Sequence, residues 1–128
     1  MLVALVEDDP MINGVLAECL EDAGYRTETV QTAGEAFDLI ERRKADLGLL
    51  ITDIRLHSAD NKTGWDVADF ARRHIPGLPI IYMSGDSAFH RRTNGLPNSV
   101  FLTKPFRVSE LLACLREVLN RGSKDDAA

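Results

Sequence analysis

Leu47-Gly48-Leu49-Leu50-Ile51-Thr52-Asp53 is the stretch that decides the fold of this chain. It is an apolar run that ends abruptly in a carboxylate. A continuous apolar segment of this length is typical of a strand that is buried on both faces inside a parallel sheet. In open parallel sheets the functional groups lie just beyond the carboxyl ends of the strands. We therefore predict that Asp53 lies at the functional edge of such a sheet.

Three other apolar runs also end in polar side chains. Leu2–Val6 runs into Glu7-Asp8-Asp9, Ile80–Met83 into Ser84, and Val100–Leu102 into Thr103-Lys104. One such coincidence carries little weight, but four of them at equivalent positions indicate a site.

The segments between these runs predict helices. Asp9 is suited to cap a first helix that begins at Pro10, because proline lacks the N–H that has no partner there, and Gly24 is suited to end it. Thr32-Ala33-Gly34-Glu35 matches a capping box for a second helix, which ends at the basic residues 42–44. The apolar stripe of the first helix is predicted to comprise Ile12, Val15, Leu16, Cys19, Leu20 and Ala23.

The remaining elements follow the same alternation. We predict a short strand at 25–30, a polar loop at 55–63, a third helix from Gly64 to about His74 and a last helix from about 108 to 120. Residues 85–99 carry little apolar periodicity and predict at most a short or frayed helix. Five strands that alternate with helices predict an α/β fold, a doubly wound parallel sheet of order 2-1-3-4-5. Residues 1–120 are expected to form one domain, and 121–128 a disordered tail.

Composition excludes several classes of protein. Of 128 residues, 45% are hydrophobic and 27% charged, and the net charge of -5 argues against a general nucleic-acid surface. No apolar run approaches the roughly 20 residues of a membrane helix. Met1 leads directly into a core strand, so no signal peptide is expected and we predict a cytoplasmic location. Cys19 and Cys114 are predicted to be small buried hydrophobic residues, and the histidines show no metal-binding spacing.

The predicted topology brings the polar strand ends together. Glu7, Asp8 and Asp53 would share a small volume, with Ser84 and Lys104 across from them. Three carboxylates at this proximity repel one another unless a proton or a cation intervenes, and oxygen ligands favour Mg²⁺ over Zn²⁺. Such a site is suited to phosphoryl transfer, with Asp53 as nucleophile and with positive charge around the transferred oxygens. Taken singly, these residues could be a helix cap, a turn residue and a solvated lysine, but their joint occurrence favours a site.

At four motifs the sequence resembles the receiver domains of two-component response regulators, over about residues 2–120. The resemblance implies the flavodoxin-like receiver fold, with Asp53 as the phosphoacceptor and Glu7 and Asp8 as the acidic pair. It further implies that Asp8 and Asp53 bind Mg²⁺ together with the backbone carbonyl of Arg55. Asp9 falls outside the acidic pair and is interpreted as a cap. The motifs are Leu-Val-Glu-Asp-Asp-Pro (5–10), Leu-Ile-Thr-Asp-Ile (50–54), Met-Ser-Gly (83–85) and Lys-Pro-Phe (104–106).

The same resemblance assigns roles to the other positions. Ser84 would be the switch hydroxyl, Lys104 the phosphate-pairing lysine, followed by a cis bond to proline. Phe101 lies where the family has its switch aromatic, although a plain core aromatic is an equal alternative. Arg55 and Asp86 occupy positions that modulate dephosphorylation, or they could form an ordinary salt bridge.

The implied function is signalling. A sensor histidine kinase or a histidine phosphotransfer protein would donate a phosphoryl group to Asp53, and the face of strands 4 and 5 would then change and bind an unidentified downstream partner. We expect a stand-alone receiver, because no helix-turn-helix pattern follows residue 120, with no nucleic-acid or membrane partner. A homodimer remains open. The stretch 53–64 is longer than in typical receiver domains and lacks the customary proline, and the stretch 84–104 is short, so we expect a partner surface that differs from the standard one of the family.

Three other functions are known for folds of this kind: a phosphorylation-independent binding module, an aspartate-nucleophile phosphatase and a flavin protein. A binding module of the same fold that does not depend on phosphorylation would not need the acidic, hydroxyl and lysine positions. An aspartate-nucleophile phosphatase would need a second carboxylate at position 55, where this chain has arginine. A flavin protein would need a hydroxyl- and glycine-rich loop after strand 1, where the acidic residues 7–9 would repel phosphate. We therefore do not expect an enzyme that turns over external substrates.

Overall fold

In the computed structural model of the chain, the structure describes residues 1–57, 61–86, 88–89 and 96–127, and side chains as far as 120. The strands that it describes form a fully parallel sheet of order β2-β1-β3-β4-β5. This confirms the predicted fold class and strand order. The strands are β1 (Leu2–Val6), β2 (Arg26–Val30), β3 (Leu47–Asp53), β4 (Ile80–Ser84) and β5 (Ser99–Thr103), and the helices are α1 (Pro10–Asp22), α2 (Ala33–Arg43), α3 (Gly64–His74) and α4 (Val108–Ala127).

The central strand β3 is covered on both faces, as its apolar run predicts. Leu49 and Ile51 pack with α1 and α4 on one face of the sheet. Leu47 and Leu50 pack with α2 and α3 on the other. Alternate side chains of a strand point to opposite faces, and a register irregularity between the pairs Leu2–Leu47 and Val3–Leu49 lets Leu47 share a face with Leu50. One continuous apolar run therefore supplies both cores. This arrangement buries β3 up to Asp53, where its carboxyl end meets the edge of the sheet.

The predicted helix signals are confirmed at α1. The Asp9 side chain accepts hydrogen bonds from the backbone N–H groups of Met11 at 2.9 Å and Ile12 at 3.3 Å, and Pro10 is the first helical residue. Gly24 follows the end of this helix with a φ of 96°, a conformation that glycine adopts at little cost. Thr32 caps α2 through the N–H of Glu35. Local chemistry therefore defines where these helices begin and end.

The predicted apolar stripe of α1 is wrong in part. Ile12 and Val15 are 36% and 54% exposed, and Asn13 faces the sheet with Leu16 and Leu20. The reason is that the Asn13 amide donates hydrogen bonds to the carbonyl oxygens of Glu7 and Val30, each at 3.0 Å. These carbonyls lie where β1 and β2 end, and buried carbonyl groups require partners. The helix is therefore rotated so that a polar side chain points inward.

Other predictions differ in detail or fall outside the described residues. Helix α4 continues to Ala127, beyond the predicted end at Asn120 and into the predicted tail. The physical reason is that residues 121–127 contain no proline, and their single glycine costs a helix only about 1 kcal/mol. Cys19 and Cys114 are half-buried rather than buried. The predictions for 55–63 and 85–99 fall partly on residues outside those described. None of the described helices is long and apolar enough to span a membrane.

The start of α3 packs directly on the end of β3. The N–H of Gly64 donates to the carbonyl oxygen of Ile54 at 2.8 Å. A Cβ at position 64 would lie 2.1 Å from the carbonyl oxygen of Asp53 and 2.8 Å from the Cα of Ile54. Thr63 and Asp66 form a reciprocal capping box that holds this first turn in place. Only glycine allows this approach, and the approach fixes the backbone on which Asp53 stands.

We predict that Gly64→Ala lowers the free energy of unfolding by about 3 kcal/mol, because the added methyl group must displace backbone atoms rather than a flexible side chain. Urea unfolding followed by circular dichroism measures this change. Gly14→Ala is the matched control, because Gly14 lies inside α1 with nothing within 4 Å of an added Cβ. That control should be neutral or stabilising by up to about 1 kcal/mol. Equal effects of the two substitutions would contradict the packing argument.

Candidate functional site

The ends of three strands converge on one ammonium group. Lys104 follows β5, and its Nζ lies 2.7 Å from Oε1 of Glu7 and 2.8 Å from Oδ2 of Asp53. Glu7 follows β1 and is 1% exposed, and Asp53 ends β3 and is 7% exposed. Parallel strands bring these carboxyl ends to the same edge of the sheet. The structure thus brings together residues that are up to 97 positions apart in the chain.

The cluster contains more negative charge than Lys104 neutralises. One carboxylate oxygen from each of Glu7, Asp8 and Asp53 lies within 4.8 Å of the others. The second oxygen of Glu7, Oε2, is buried and has no hydrogen-bond partner within the described part of the chain. Buried polar atoms usually have a partner, so this oxygen has room for a ligand or a proton. Three converging carboxylates with a free buried oxygen fit a hard divalent cation such as Mg²⁺.

Burial raises the pKa of Glu7 from 4.5 to about 7. The adjacent Asp53 carboxylate contributes to this increase, whereas Lys104 opposes it. For Lys104, burial by itself lowers the pKa, but bonding to Asp53 and Glu7 outweighs burial, so that the net pKa is raised. Lys104 therefore keeps its charge at neutral pH, while Glu7 is poised between its neutral and ionised forms.

Backbone N–H groups from the segment after β3 reach two of the carboxylates. The N–H of Arg55 lies 3.3 Å from Oδ1 of Asp53, and the N–H of His57 lies 3.1 Å from Oδ2 of Asp8. Hydrogen bonds of this kind fix the orientation of a carboxylate. The site is therefore built from the backbone of residues 54–57 as well as from side chains.

Ser84 ends the neighbouring strand and is buried. Its Oγ accepts a hydrogen bond from the N–H of Asp86 at 3.0 Å, which leaves its own proton available for donation. Its carbonyl oxygen accepts from the N–H of Lys104 at 2.9 Å. The peptide bond between Lys104 and Pro105 is cis, as the resemblance implies. Ser84 and Lys104 are thus connected through the backbone at the same edge of the sheet.

Arg55 and Asp86 form a salt bridge at 3.1 Å. Their side chains are 63% and 42% exposed, and an ion pair at this exposure contributes at most about 1 kcal/mol to stability. The Arg55 guanidinium also lies 5.5 Å from the ring centre of Phe89. Phe101 stands on β5 opposite Tyr82 of β4 and packs, half-buried, against the core shared by α2 and α3. Phe101 thus lies on the strand that pairs with β4, the strand that Ser84 ends.

Sequence reasoning missed three contributors to this site. The capping box of α3 was detectable, because Thr63-x-x-Asp66 is the expected pattern. Asn13 carries no such signal, because it lies outside the predicted apolar stripe and the sequence does not show which carbonyl groups its amide will meet. The N–H of His57 is also invisible in the sequence, since every residue except proline has one.

Comparison with known proteins yields one family. Residues 3–116 match the model of the response regulator receiver domain. The chain is 31% identical to response regulator MprA of Mycobacterium leprae, over 100% of this chain and 55% of that protein. It is 30% identical to the transcriptional regulatory protein CusR of Escherichia coli K12, over 96% of this chain and 53% of that protein. The chain spans about half the length of these curated relatives.

The structural comparison agrees. The crystal structure of a response regulator receiver protein from Sinorhizobium medicae is similar to this chain with a TM-score of 0.84 and 30% sequence identity. The match covers 95% of this chain and 96% of that one. The likeness therefore extends over nearly the whole of both chains.

The raised pKa of Glu7 predicts a pH-dependent stability in the absence of metal. The folded state holds the proton between pH 4.5 and about 7, whereas the unfolded state has released it. This stabilisation is complete below pH 4.5 and is lost as the pH rises through 7. With EDTA present, the free energy of unfolding should fall by roughly 2–3 kcal/mol more in the parent than in Glu7→Gln between pH 5 and pH 8.

Urea unfolding at pH 5, 6, 7 and 8 measures this difference. Asp9→Asn is the control, because Asp9 is an exposed cap for which asparagine substitutes well. This control should follow the parent at every pH. Parallel curves for the parent and Glu7→Gln would show that Glu7 does not hold a proton in the folded state.

Proposed function

Because this chain belongs to the response regulator receiver domain family, we propose that Asp53 accepts a phosphoryl group from a sensor histidine kinase or a histidine phosphotransfer protein. Receiver domains are signalling proteins rather than enzymes that turn over external substrates. The observation that carries the proposal is the Asp53 carboxylate, which lies 2.8 Å from Lys104 inside an acidic cluster at the carboxyl edge of the sheet. The receiver domain is proposed to comprise residues 1–120.

In the proposed reaction, an Asp53 oxygen attacks the phosphorus of a phosphohistidine. The new O–P bond forms as the P–N bond breaks, and the imidazole nitrogen leaves with the electron pair. Lys104 stays charged at neutral pH and moves from the Asp53 oxygen to a phosphoryl oxygen. Glu7, Asp8, Asp53 and the carbonyl oxygen of Arg55 would hold Mg²⁺, which supplies further positive charge for the phosphoryl oxygens.

The phosphorylated site would then shift the conformation of β4 and β5. A phosphoryl group adds roughly -1.5 to -2 charge. The buried Ser84 hydroxyl can donate to it, because Oγ serves only as an acceptor in the N–H bond from Asp86. A movement of Ser84 would pass to β5 through the bond between its carbonyl and the N–H of Lys104. Phe101, which is half-buried on β5, is the proposed readout residue.

The surface beside the site supports a protein donor. Met11 is 78% exposed on α1, next to the exposed Ile12 and Val15. A surface pocket of about 440 Å³ continues this apolar patch to the site and is lined by Ile12, Leu16, Lys104, Pro105 and Phe106. A donor that presents phosphohistidine to Asp53 must cover the surroundings of Lys104. Exposed apolar side chains at that place are typical of an interaction surface.

Several finer assignments stay predictions. Arg55 and Asp86 are proposed to set the lifetime of the phosphoryl group, because their salt bridge stands next to Asp53 and Ser84. The test compares the rates at which the phosphorylated parent and phosphorylated Asp86→Ala lose the phosphoryl group. A cytoplasmic location and binding to a downstream protein partner are proposed as well. The absence of a nucleic-acid partner stays a prediction, since one relative is named a transcriptional regulatory protein.

We predict that Mg²⁺ and acetyl phosphate add a single phosphoryl group to the parent and none to Asp53→Asn. Intact-mass spectrometry measures the adduct. Asp9→Asn is the matched control, because it makes the same substitution at an exposed acid beside the cluster and should be phosphorylated like the parent. An adduct on Asp53→Asn would mean a different acceptor. No adduct on any variant, together with no Mg²⁺ binding, would favour a binding module that does not depend on phosphorylation.

We also predict that Ile12→Glu slows phosphoryl transfer from a phosphorylated histidine kinase about tenfold. The bound kinase would then cover a charged side chain at the edge of the site, where it contacts an apolar one in the parent. Phosphorylation by acetyl phosphate should be unchanged, since a small donor does not need the patch. Ala113→Glu, at an exposed position of α4, is the control. Equal slowing with both donors would show that the substitution disturbs the site itself.

A further inference from the structure

The three acids of the site differ in how they are held. Glu7 and Asp53 are buried and bonded to Lys104. Asp8 is only half-buried, so its side chain could turn towards solvent. Repulsion from two neighbouring carboxylates favours that movement, because like charges at this distance destabilise each other. Something must keep Asp8 within 4.8 Å of the other two acids.

We propose that the main-chain N–H of His57 is the positioning group that holds Asp8 for the cation. This N–H lies 3.1 Å from Oδ2 of Asp8. It occupies one oxygen and leaves the other for a metal. Ligand orientation is then set before the ion arrives, which is how outer-shell hydrogen bonds commonly strengthen metal sites. The proposal rests on the proposed magnesium site and goes beyond it, because it adds a group that is not itself a ligand.

The backbone that presents this N–H is anchored on the N-terminal side of His57. Leu56, next to His57, is 7% exposed and packs into the core formed with α2 and α3. Ile54 is fixed on both sides, since its N–H donates to the carbonyl of Met83 at 2.9 Å and its carbonyl accepts from Gly64 at 2.8 Å. A backbone held at Ile54 and at Leu56, one residue before His57, cannot easily follow Asp8 into solvent. Asp8 is therefore held in place by the segment.

Two N–H groups of this segment act on two acids. Arg55 donates to Asp53 and His57 donates to Asp8, at 3.3 and 3.1 Å. The segment thus fixes the separation of the two carboxylates that the proposed cation would bridge. The imidazole of His57 is exposed, so we expect only the main-chain N–H of this residue to affect the position of Asp8. Proline is the one substitution that removes this donor.

The test compares His57→Pro with His57→Ala. Isothermal titration calorimetry with MgCl₂ should show about tenfold weaker binding for His57→Pro and parent-like binding for His57→Ala. Equal affinity of the proline variant and the parent would overturn the inference while leaving the magnesium site intact. An equal loss in both variants would assign the effect to the imidazole. No binding by the parent would overturn the proposed magnesium site and this inference with it.

A second measurement does not depend on the folding of the proline variant. In the metal-free parent, hydrogen exchange followed by NMR should show a protected His57 amide, and Asp8→Ala should abolish that protection. The melting temperature of each variant in EDTA reports whether it is folded. A His57 amide that exchanges equally fast in the parent and in Asp8→Ala would refute the hydrogen bond, whatever the magnesium affinities are.

Discussion

The ion pairs between Lys104, Glu7 and Asp53 are the constraint on which the rest of this structure depends. They join the ends of β1, β3 and β5, so the site exists only when the whole sheet has formed. Removing charged groups from water is costly, and removing one partner of such a pair leaves the other charge uncompensated. The surplus negative charge, which one lysine cannot neutralise, is what makes the site receptive to a proton or a divalent cation.

The scaffold holds this charge cluster with groups that carry no charge. Asn13 ties α1 to the carbonyl of Glu7, and Gly64 lets α3 approach the carbonyl of Asp53. The N–H groups of Arg55 and His57 donate to the carboxylates of Asp53 and Asp8. Backbone and amide dipoles can orient an anion without cancelling its charge, and the proposed phosphoacceptor needs that charge in order to attack. The core beneath is ordinary, and the specialised features lie at its edge.

Much of the fold could be predicted from the sequence, because the relevant signals are local. The apolar run that ends at Asp53 predicts a buried strand, and the cap at Asp9 with Pro10 predicts the start of α1. Predictions failed where contacts with residues far away in the sequence determine the structure. Ile12 and Val15 fit an apolar stripe by their spacing, but Asn13 turned the helix towards carbonyls at the ends of two strands. The end of α4 was misplaced because residues 121–127 contain no proline, and their single glycine is too weak a breaker to end the helix.

The sequence by itself determined the strand and helix order, and with it which residues lie at the carboxyl edge, because strand direction and side-chain period follow from the chain alone. Only the tertiary structure decided how these residues meet. The 2.7 Å contact of Lys104 with Glu7 and the hydrogen bond from the N–H of His57 to Asp8 join segments that are distant in the chain. The burial of the second Glu7 oxygen, which has no hydrogen-bond partner among the residues that the structure describes, likewise depends on packing. The physical reason is that a hydrogen bond needs its donor and acceptor placed to within a few tenths of an ångström, and tertiary packing, not residue identity, sets that placement.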